Sequence, residues 1–273
     1  LYFIRILMIE RFSYSSLQTF KKCPAQFKIR YIDKVRKKDE GIEAFMGKRV
    51  HEAIEFLYET VLKGQIPFVD HIVDYYREIW AEHWHNRISR VDSAMKPADY
   101  LRTGEECIVR YYRKHQPSHQ PIKGNEVELD FFLDENKQYQ MKGFIDRLDN
   151  LGNGHWEIHD YKTSKRALGQ KAADNDEQLA LYHFALKQKY KNVEKVDLVW
   201  HFLRHGIERR SSRTEEQLVA LSNKCQSSID TIRDFIQKGG AFYPKQSMLC
   251  NWCYYWEECS AKDGANPFIG RDR

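Results

Sequence analysis

Three apolar-rich runs separated by two polar turns constrain this chain more than any other feature. Glu126–Leu133 and Gln138–Asp146 flank the turn Asp134-Glu135-Asn136-Lys137, and His155–Lys162 follows Asn150-Leu151-Gly152-Asn153-Gly154. Runs of this length bounded by Gly, Asn and Asp read as strands, and their close succession predicts an antiparallel meander. Strand side chains repeat every two residues, so Asp160 and Lys162 share one face while Tyr161 points to the other. With Gly143-Phe144-Ile145-Asp146 closing the strand before, the pattern puts two carboxylates and an amine at one sheet edge.

That trio is the minimal set for metal-assisted phosphodiester cleavage. Mg²⁺ takes about six oxygen ligands at roughly 2.1 Å and usually only one or two from protein carboxylates. Asp146 and Asp160 would hold such an ion, water bound to it would be acidified, and Lys162 would orient that water and offset charge developing on the phosphate. A surface salt bridge between strand neighbours is the plain alternative for an Asp-x-Lys triplet.

Two helical segments add polar groups. In Ala44–Leu62 the residues Met46, Val50, Ile54, Leu57 and Val61 follow helical spacing. His51 lies on that helix one turn after Gly47, which leaves space beside an imidazole that would suit Mn²⁺ better than Mg²⁺. In the helix Glu177–Leu186, Gln178 and Tyr182 are four apart and share a face.

Of six cysteines, Cys250, Cys253 and Cys259 form a C-x2-C-x5-C set, while Cys23 precedes Pro24 far upstream. A chain that functions in the cytoplasm keeps its thiols reduced, so clustered thiolates read as a metal site. Spacing alone leaves structural zinc and an iron–sulphur cluster both open. Cys107 and Cys225 read as small packed hydrophobes.

Composition sets the remaining bounds. A 42% hydrophobic content over 273 residues is enough for one sizeable core. With 44 basic and 39 acidic residues the net charge is only +5, which excludes a uniformly cationic DNA coat but permits a local groove. Lys165 and Arg166, just past Lys162, are the candidates for it. The apolar opening Leu1–Ile9 is broken by Arg5 and too short to span a membrane. Residues 1–7 precede Met8 and are set aside as an expression-vector remnant. Residues 8–273 read as a single domain, with a helical, aromatic-rich insert over 69–116 broken near Lys96-Pro97 and a cysteine-rich segment over 239–273. Further expected elements are a helix capped at Ser15 with Gln18 closing a capping box, a strand over Lys195–Leu203 and a helix over Thr214–Lys238.

The ordered pairs Gly47/His51, Gly143/Asp146, Asp160/Lys162 and Gln178/Tyr182 resemble the RecB-type branch of the PD-(D/E)xK nuclease superfamily, which includes CRISPR-associated and AddB-like nucleases. The likeness extends to Ser13-Tyr14-Ser15-Ser16-Leu17 and Cys23-Pro24, and so covers nearly the whole chain. It implies an α/β fold with a central mixed sheet flanked by helices, the restriction-endonuclease-like core. It implies Mg²⁺ or Mn²⁺ bound by His51, Asp146, Asp160 and the backbone carbonyl of Tyr161. Asp146, Asp160 and Lys162 would be catalytic, and Gln178 and Tyr182 would contact DNA or brace the site. Cys23 would join Cys250, Cys253 and Cys259 around a 4Fe-4S cluster, with zinc the alternative, tying the two ends of the domain together. Two departures are Ile145 in place of proline and Asp160 where many relatives carry Glu.

The implied function is a cytoplasmic, metal-dependent DNA nuclease, favoured as an exonuclease on single strands or DNA ends, with a helicase or CRISPR-adaptation partner and no membrane. A non-catalytic DNA-binding or complex-assembly subunit is the alternative. The complete set His51, Asp146, Asp160 and Lys162 weighs against it.

Overall fold

The computed structural model describes residues 9–92, 94–117 and 121–261. The segment 1–7 and the end of the cysteine-rich segment lie outside the described residues. In chain order the elements are β1 (Arg11–Ser13), α1 (Tyr14–Lys22), α2 (Pro24–Phe27), a π-helical turn (Lys28–Ile32), β2 (Glu40–Gly41), α3 (Ile42–Leu62) and α4 (Val69–His83). There follow β3 (Ile88–Ser89), α5 (Pro97–His115), β4 (Ile122–Phe132), β5 (Gln140–Gly152), β6 (His155–Lys162), α6 (Gln170–Asp174) and α7 (Glu177–Lys189). β7 (Lys195–Phe202), β8 (Ile207–Ser211), α8 (Glu215–Gln237) and a 3-10 turn (Met248–Trp252) complete the chain.

The expected meander is β4–β5–β6, paired antiparallel throughout. β6 then runs parallel to β7 after the α6–α7 crossover, and β8 returns antiparallel. β1 pairs parallel with the first residues of β5, which gives a mixed sheet in the order β1-β5-β6-β7-β8 with β4 also on β5. The carboxylate strands are therefore interior to the sheet rather than at its edge, because β1, β4 and β7 flank them. A crossover connection of helix length is what allows β6 and β7 to lie side by side in the same direction.

Helices cover both faces. On one, Met141, Ile145, Leu148, Trp156, Ile158, Leu198 and Trp200 pack against α1, α7 and α8. On the other, α3 turns a buried stripe of Ile42, Phe45, Met46, Val50, Ile54, Leu57 and Val61 towards Tyr76, Trp80, Tyr100 and Tyr111 of α4 and α5. Each such side chain withdrawn from water contributes about 1.5–3 kcal/mol, which holds α4 and α5 to α3 as one layer. The helix caps differ from expectation at the first helix. Ser13, not Ser15, is the N-cap, and Ser16 rather than Gln18 closes the box, because β1 ends at Ser13 and its extended backbone leaves that side chain free to accept from Ser16 N–H.

One irregularity lies in β5 at Asp146. Met141, Gly143 and Ile145 of β5 face the α7 layer, yet Arg147, two residues on, lies under the Tyr58 ring of α3 at 4.3 Å. The alternation of faces is thus broken at Asp146. Directly across, Glu126 of β4 takes a left-handed φ of 45°, between the pairs Asn125–Arg147 and Val127–Ile145. A non-glycine residue held in that region is a strained position of the kind that collects at functional sites.

Candidate active site

Pairing between β5 and β6 begins at Arg147–His159, and Asp146 and Asp160 are the next residues on their strands beyond that pair. The strands part there, and the carboxylates occupy the opening. Asp146 Oδ2 accepts from Tyr161 N–H at 2.7 Å. Asp160 is 6% exposed, with Lys162 Nζ 2.8 Å from both of its oxygens, but only the contact to Oδ1 has hydrogen-bond geometry. Asp160 Oδ2 is buried without a hydrogen-bond partner. The Lys162 ammonium compensates that oxygen by charge rather than by a directed hydrogen bond.

From the other side α3 brings His51 to the same opening. Its Nε2 is 2.7 Å from the Tyr161 carbonyl oxygen and its Nδ1 is 3.5 Å from Asp146 Oδ2. Gly47 does not leave an empty space beside the imidazole, as its position on the helix implies. A Cβ there would come within 3.1 Å of Thr163 Oγ1, so the glycine admits the end of β6 against α3.

Glu126 is a member of this group that the sequence reading missed. Ligand atoms of His51, Glu126 and Asp146 all lie within 4.8 Å of one another. Glu126 and Asp146 both stand ten residues from Asn136, so counting outward from the Asp134–Lys137 turn would have paired them.

The electrostatics are those of a cation site. Loss of water around the Glu126 carboxyl, then Asp146 and Glu55, push its pKa up to about 7. Burial, and secondarily Asp146, push Asp160 up to about 6 against the opposing pull of Lys162. For Lys162 burial acts downward, yet Asp160 outweighs it and holds the amine above its ordinary value, fully charged at neutral pH.

Gln178 Nε2 donates to the Tyr182 hydroxyl at 3.1 Å, and the buried Tyr182 ring packs against Gly143. A Cβ at Gly143 would fall 3.0 Å from Tyr182 Cζ and nearer still to Cε1. The glycine three residues before Asp146 and the tyrosine four after Gln178 are thus one packing unit that fixes β5. Lys165 and Arg166 are exposed beyond the end of β6, Lys165 with only a 3.4 Å contact to Asp92.

A second convergence joins distant parts of the chain. Cys23, extended between α1 and α2 ahead of Pro24, lines one small cavity of about 30 Å³ together with Cys250, Cys253 and Cys259. The Lys245 and Ser247 backbone N–H groups donate to the sulphurs of Cys23 and Cys250, each at 3.5 Å. Burial, reinforced by the other three thiols, pushes Cys253 up to about 11. The groupings of potential ligand atoms within 4.8 Å of one another among the described residues contain no cysteine.

The sequence matches the PD-(D/E)XK nuclease superfamily over residues 11–260. The chain belongs to the PD-(D/E)XK nuclease superfamily. A candidate exonuclease of Eubacterium rectale superposes with a TM-score of 0.54 at 12% identity, over 94% of this chain and 90% of that one, a likeness of fold. The solved protein SSO0001 superposes at only 0.34, with 15% identity over 88% of this chain and 96% of that one. No curated protein matches. Asp146, Asp160 and Lys162 follow one another in sequence order on neighbouring strands, at the parting of β5 and β6. Among the described residues no helix is long and apolar enough to cross a membrane.

Proposed function

We propose that this superfamily member is a Mg²⁺- or Mn²⁺-dependent deoxyribonuclease, acting as an exonuclease on single strands or DNA ends. The observation that carries the reading is the meeting of His51, Glu126 and Asp146 ligand atoms within 4.8 Å, beside the buried Asp160 carboxylate that Lys162 meets at 2.8 Å. One imidazole, several carboxylate oxygens and the Tyr161 carbonyl form a donor set that fits a hard or borderline divalent ion. Ligands of an octahedral ion at about 2.1 Å stand roughly 3 Å apart, close to the 2.7 Å between His51 Nε2 and the Tyr161 oxygen. When bound, such an ion supplies Lewis acidity to water and to the phosphate. Lys162, kept charged by Asp160, donates to the attacking water or to a phosphate oxygen as negative charge grows. Gln178 and Tyr182 hold β5, and with it Asp146, in place. Lys165 and Arg166 meet the DNA backbone beyond the reacting phosphate. The exonuclease mode leans on the likeness to the RecB-type branch and on the description of the Eubacterium rectale protein.

We further infer a 4Fe-4S cluster at Cys23, Cys250, Cys253 and Cys259. Four thiolates on one zinc ion at about 2.3 Å would stand only about 3.8 Å apart. A four-iron cube, with each thiolate on a different iron, holds them farther apart. The four cysteines line one cavity but their sulphurs form no grouping within 4.8 Å among the described residues, so the preference for the cube leans on the family likeness. A cluster held by reduced thiolates would fit a protein of the cytoplasm. The expected helicase or CRISPR-adaptation partner gains no support from the relatives.

The test is cleavage of end-labelled single- and double-stranded DNA with Mn²⁺, Mg²⁺ or chelator, comparing the parent with Asp160→Ala and Lys162→Ala. Metal-dependent release of nucleotides from ends by the parent alone is expected. Equal cutting by all three proteins would remove the site, and no cutting by the parent would return the chain to a DNA-binding or assembly role.

A further inference from the structure

On the sheet face away from Asp160, the strands carry a buried polar layer that the nuclease chemistry does not use. His159 of β6 is 2% exposed and His201 of β7 is 3% exposed. His159 Nε2 faces Asp149 Oδ2 at 3.2 Å and Glu157 Oε2 at 3.3 Å. Arg147 lies 3.0 and 3.2 Å from the two ring nitrogens, over the ring rather than along either lone pair. A nitrogen lone pair aimed at two carboxylates would be repelled, so Nε2 of His159 carries the hydrogen. With one hydrogen on the ring, Nδ1 is an acceptor to which His201 Nε2, 2.9 Å away, donates. In that arrangement His201 Nδ1 presents a bare lone pair.

That lone pair faces another acceptor. Glu208 of β8 stands opposite His201 in the strand register, and its Oε2 is 3.8 Å from His201 Nδ1. Its Oε1 is held by Arg210 Nε at 2.6 Å, which aims the other oxygen at the imidazole. His115, the last residue of α5, closes the group from the helical layer, its ring centroid 4.9 Å from that of His201. Ligand atoms of His115, His201 and Glu208 lie within 4.8 Å of one another. Two acceptors facing each other at 3.8 Å, with Glu208 only partly buried, repel unless a proton or a metal ion stands between them.

We propose that His115, His201 and Glu208 bind a transition-metal ion of the zinc class, at a site built from residues other than those of the nuclease centre. Two imidazoles and a carboxylate at three corners of a tetrahedron, with water at the fourth, are a preferred donor set for such an ion. Ligands at about 2.1 Å around it stand roughly 3.4 Å apart, so the present spacing closes with a small rotation of Glu208. The carboxylate–His159–His201 chain is the outer support that such sites carry, fixing ring orientation and raising basicity. Burial holds His115 down to about 4, so its imidazole is neutral and ready to ligate at pH 7. The ion would pin the end of α5 to β7 and β8, and so clamp the helical layer to the sheet.

Cobalt(II) is the probe, because a tetrahedral nitrogen–oxygen site gives visible d–d bands that differ from thiolate-to-cobalt charge transfer and from a weakly absorbing octahedral site. The full chain, titrated anaerobically, is compared with His115→Ala, with the isosteric Glu208→Gln, and with Asp146→Ala. The tetrahedral bands should appear in the parent and in Asp146→Ala, be displaced by one equivalent of zinc, and be missing from the other two. Zinc should raise the melting temperature of the parent but not of Glu208→Gln. Bands that persist in folded His115→Ala or Glu208→Gln, or that are missing from the parent, would overturn the site and leave a hydrogen-bonded histidine network.

Discussion

The contact between Gly143 and Tyr182 is the sharpest place to test how the site is held. Gly143→Ala adds one methyl carbon 3.0 Å from Tyr182 Cζ and closer to Cε1, where carbon pairs rest at about 3.5–4.0 Å. Either the ring or β5 must retreat by roughly 1 Å. Such overpacking costs about 1–3 kcal/mol, partly offset by about 0.4–1 kcal/mol from the stiffer unfolded chain. The net loss, about 1–2 kcal/mol, lowers the melting temperature by roughly 2–8 °C in a domain of this size. The larger expected effect is on cleavage: Asp146, which we propose as a metal ligand, is three residues along the same strand, and a displacement of about 1 Å in such a group can cost roughly 100-fold. The assay pairs thermal melting with nucleotide release for the parent, Gly143→Ala, Tyr182→Leu and the double variant. Removing the ring should relieve the clash, so the double variant should be more stable than the two single losses sum to, by about 1 kcal/mol of coupling. Unchanged stability and activity in Gly143→Ala, or strict additivity, would refute the claim that this contact sets the position of Asp146.

Glu126→Gln should raise the Mn²⁺ concentration needed for half-maximal cleavage by about 10-fold or more, since one ligand charge is lost from the group; an unchanged metal titration would remove Glu126 from it. Glu157 is held down to about 2, first by its hydrogen bond with His159 and then by Arg210, against the upward push of burial. Its stabilising share is therefore fully present above pH 4.5 and fades as pH falls towards 2. The difference in unfolding free energy between the parent and Glu157→Gln should shrink by about 2 kcal/mol from pH 5.5 to pH 3, and a pH-independent difference would contradict it. Protein purified without oxygen should be brown, and Cys253→Ala colourless with a lower melting temperature; a colourless parent carrying stoichiometric zinc would reassign the four cysteines.

Much of this arrangement was legible in the amino-acid order because it depends on local periods. The meander follows from alternation and turn residues, the Asp160–Lys162 contact from the two-residue repeat, and the Gln178–Tyr182 bond from helical spacing. The four cysteines line one cavity, but only the family resemblance, not the C-x2-C-x5-C spacing, joined Cys23 to the other three. What escaped depends on relations between strands. Glu126 reads as an ordinary strand start until the register places it across from Asp146. Strict alternation would keep Arg147 with Ile145 on one face, and only the left-handed Glu126 opposite Asp146 reveals that it does not. The polar layer of Asp149, Glu157, His159 and His201 was hidden because each residue is unremarked in its own strand. It becomes a network only when β5, β6 and β7 lie side by side. Ser13 took the cap expected of Ser15 because β1 runs directly into α1, a junction that no single-helix pattern encodes.

The switch of sides at Asp146 makes this stretch intolerant of changes in length. An extra residue in the Asp134–Lys137 turn would be absorbed at the surface. One inserted between Ile145 and Leu148 would drive the Arg147 guanidinium into the oily layer beneath α7 and pull Leu148 among charges. The spacing of three between those two aliphatic residues is therefore a hereditary constraint in its own right. Any descendant of this gene can respell that segment far more readily than it can lengthen or shorten it.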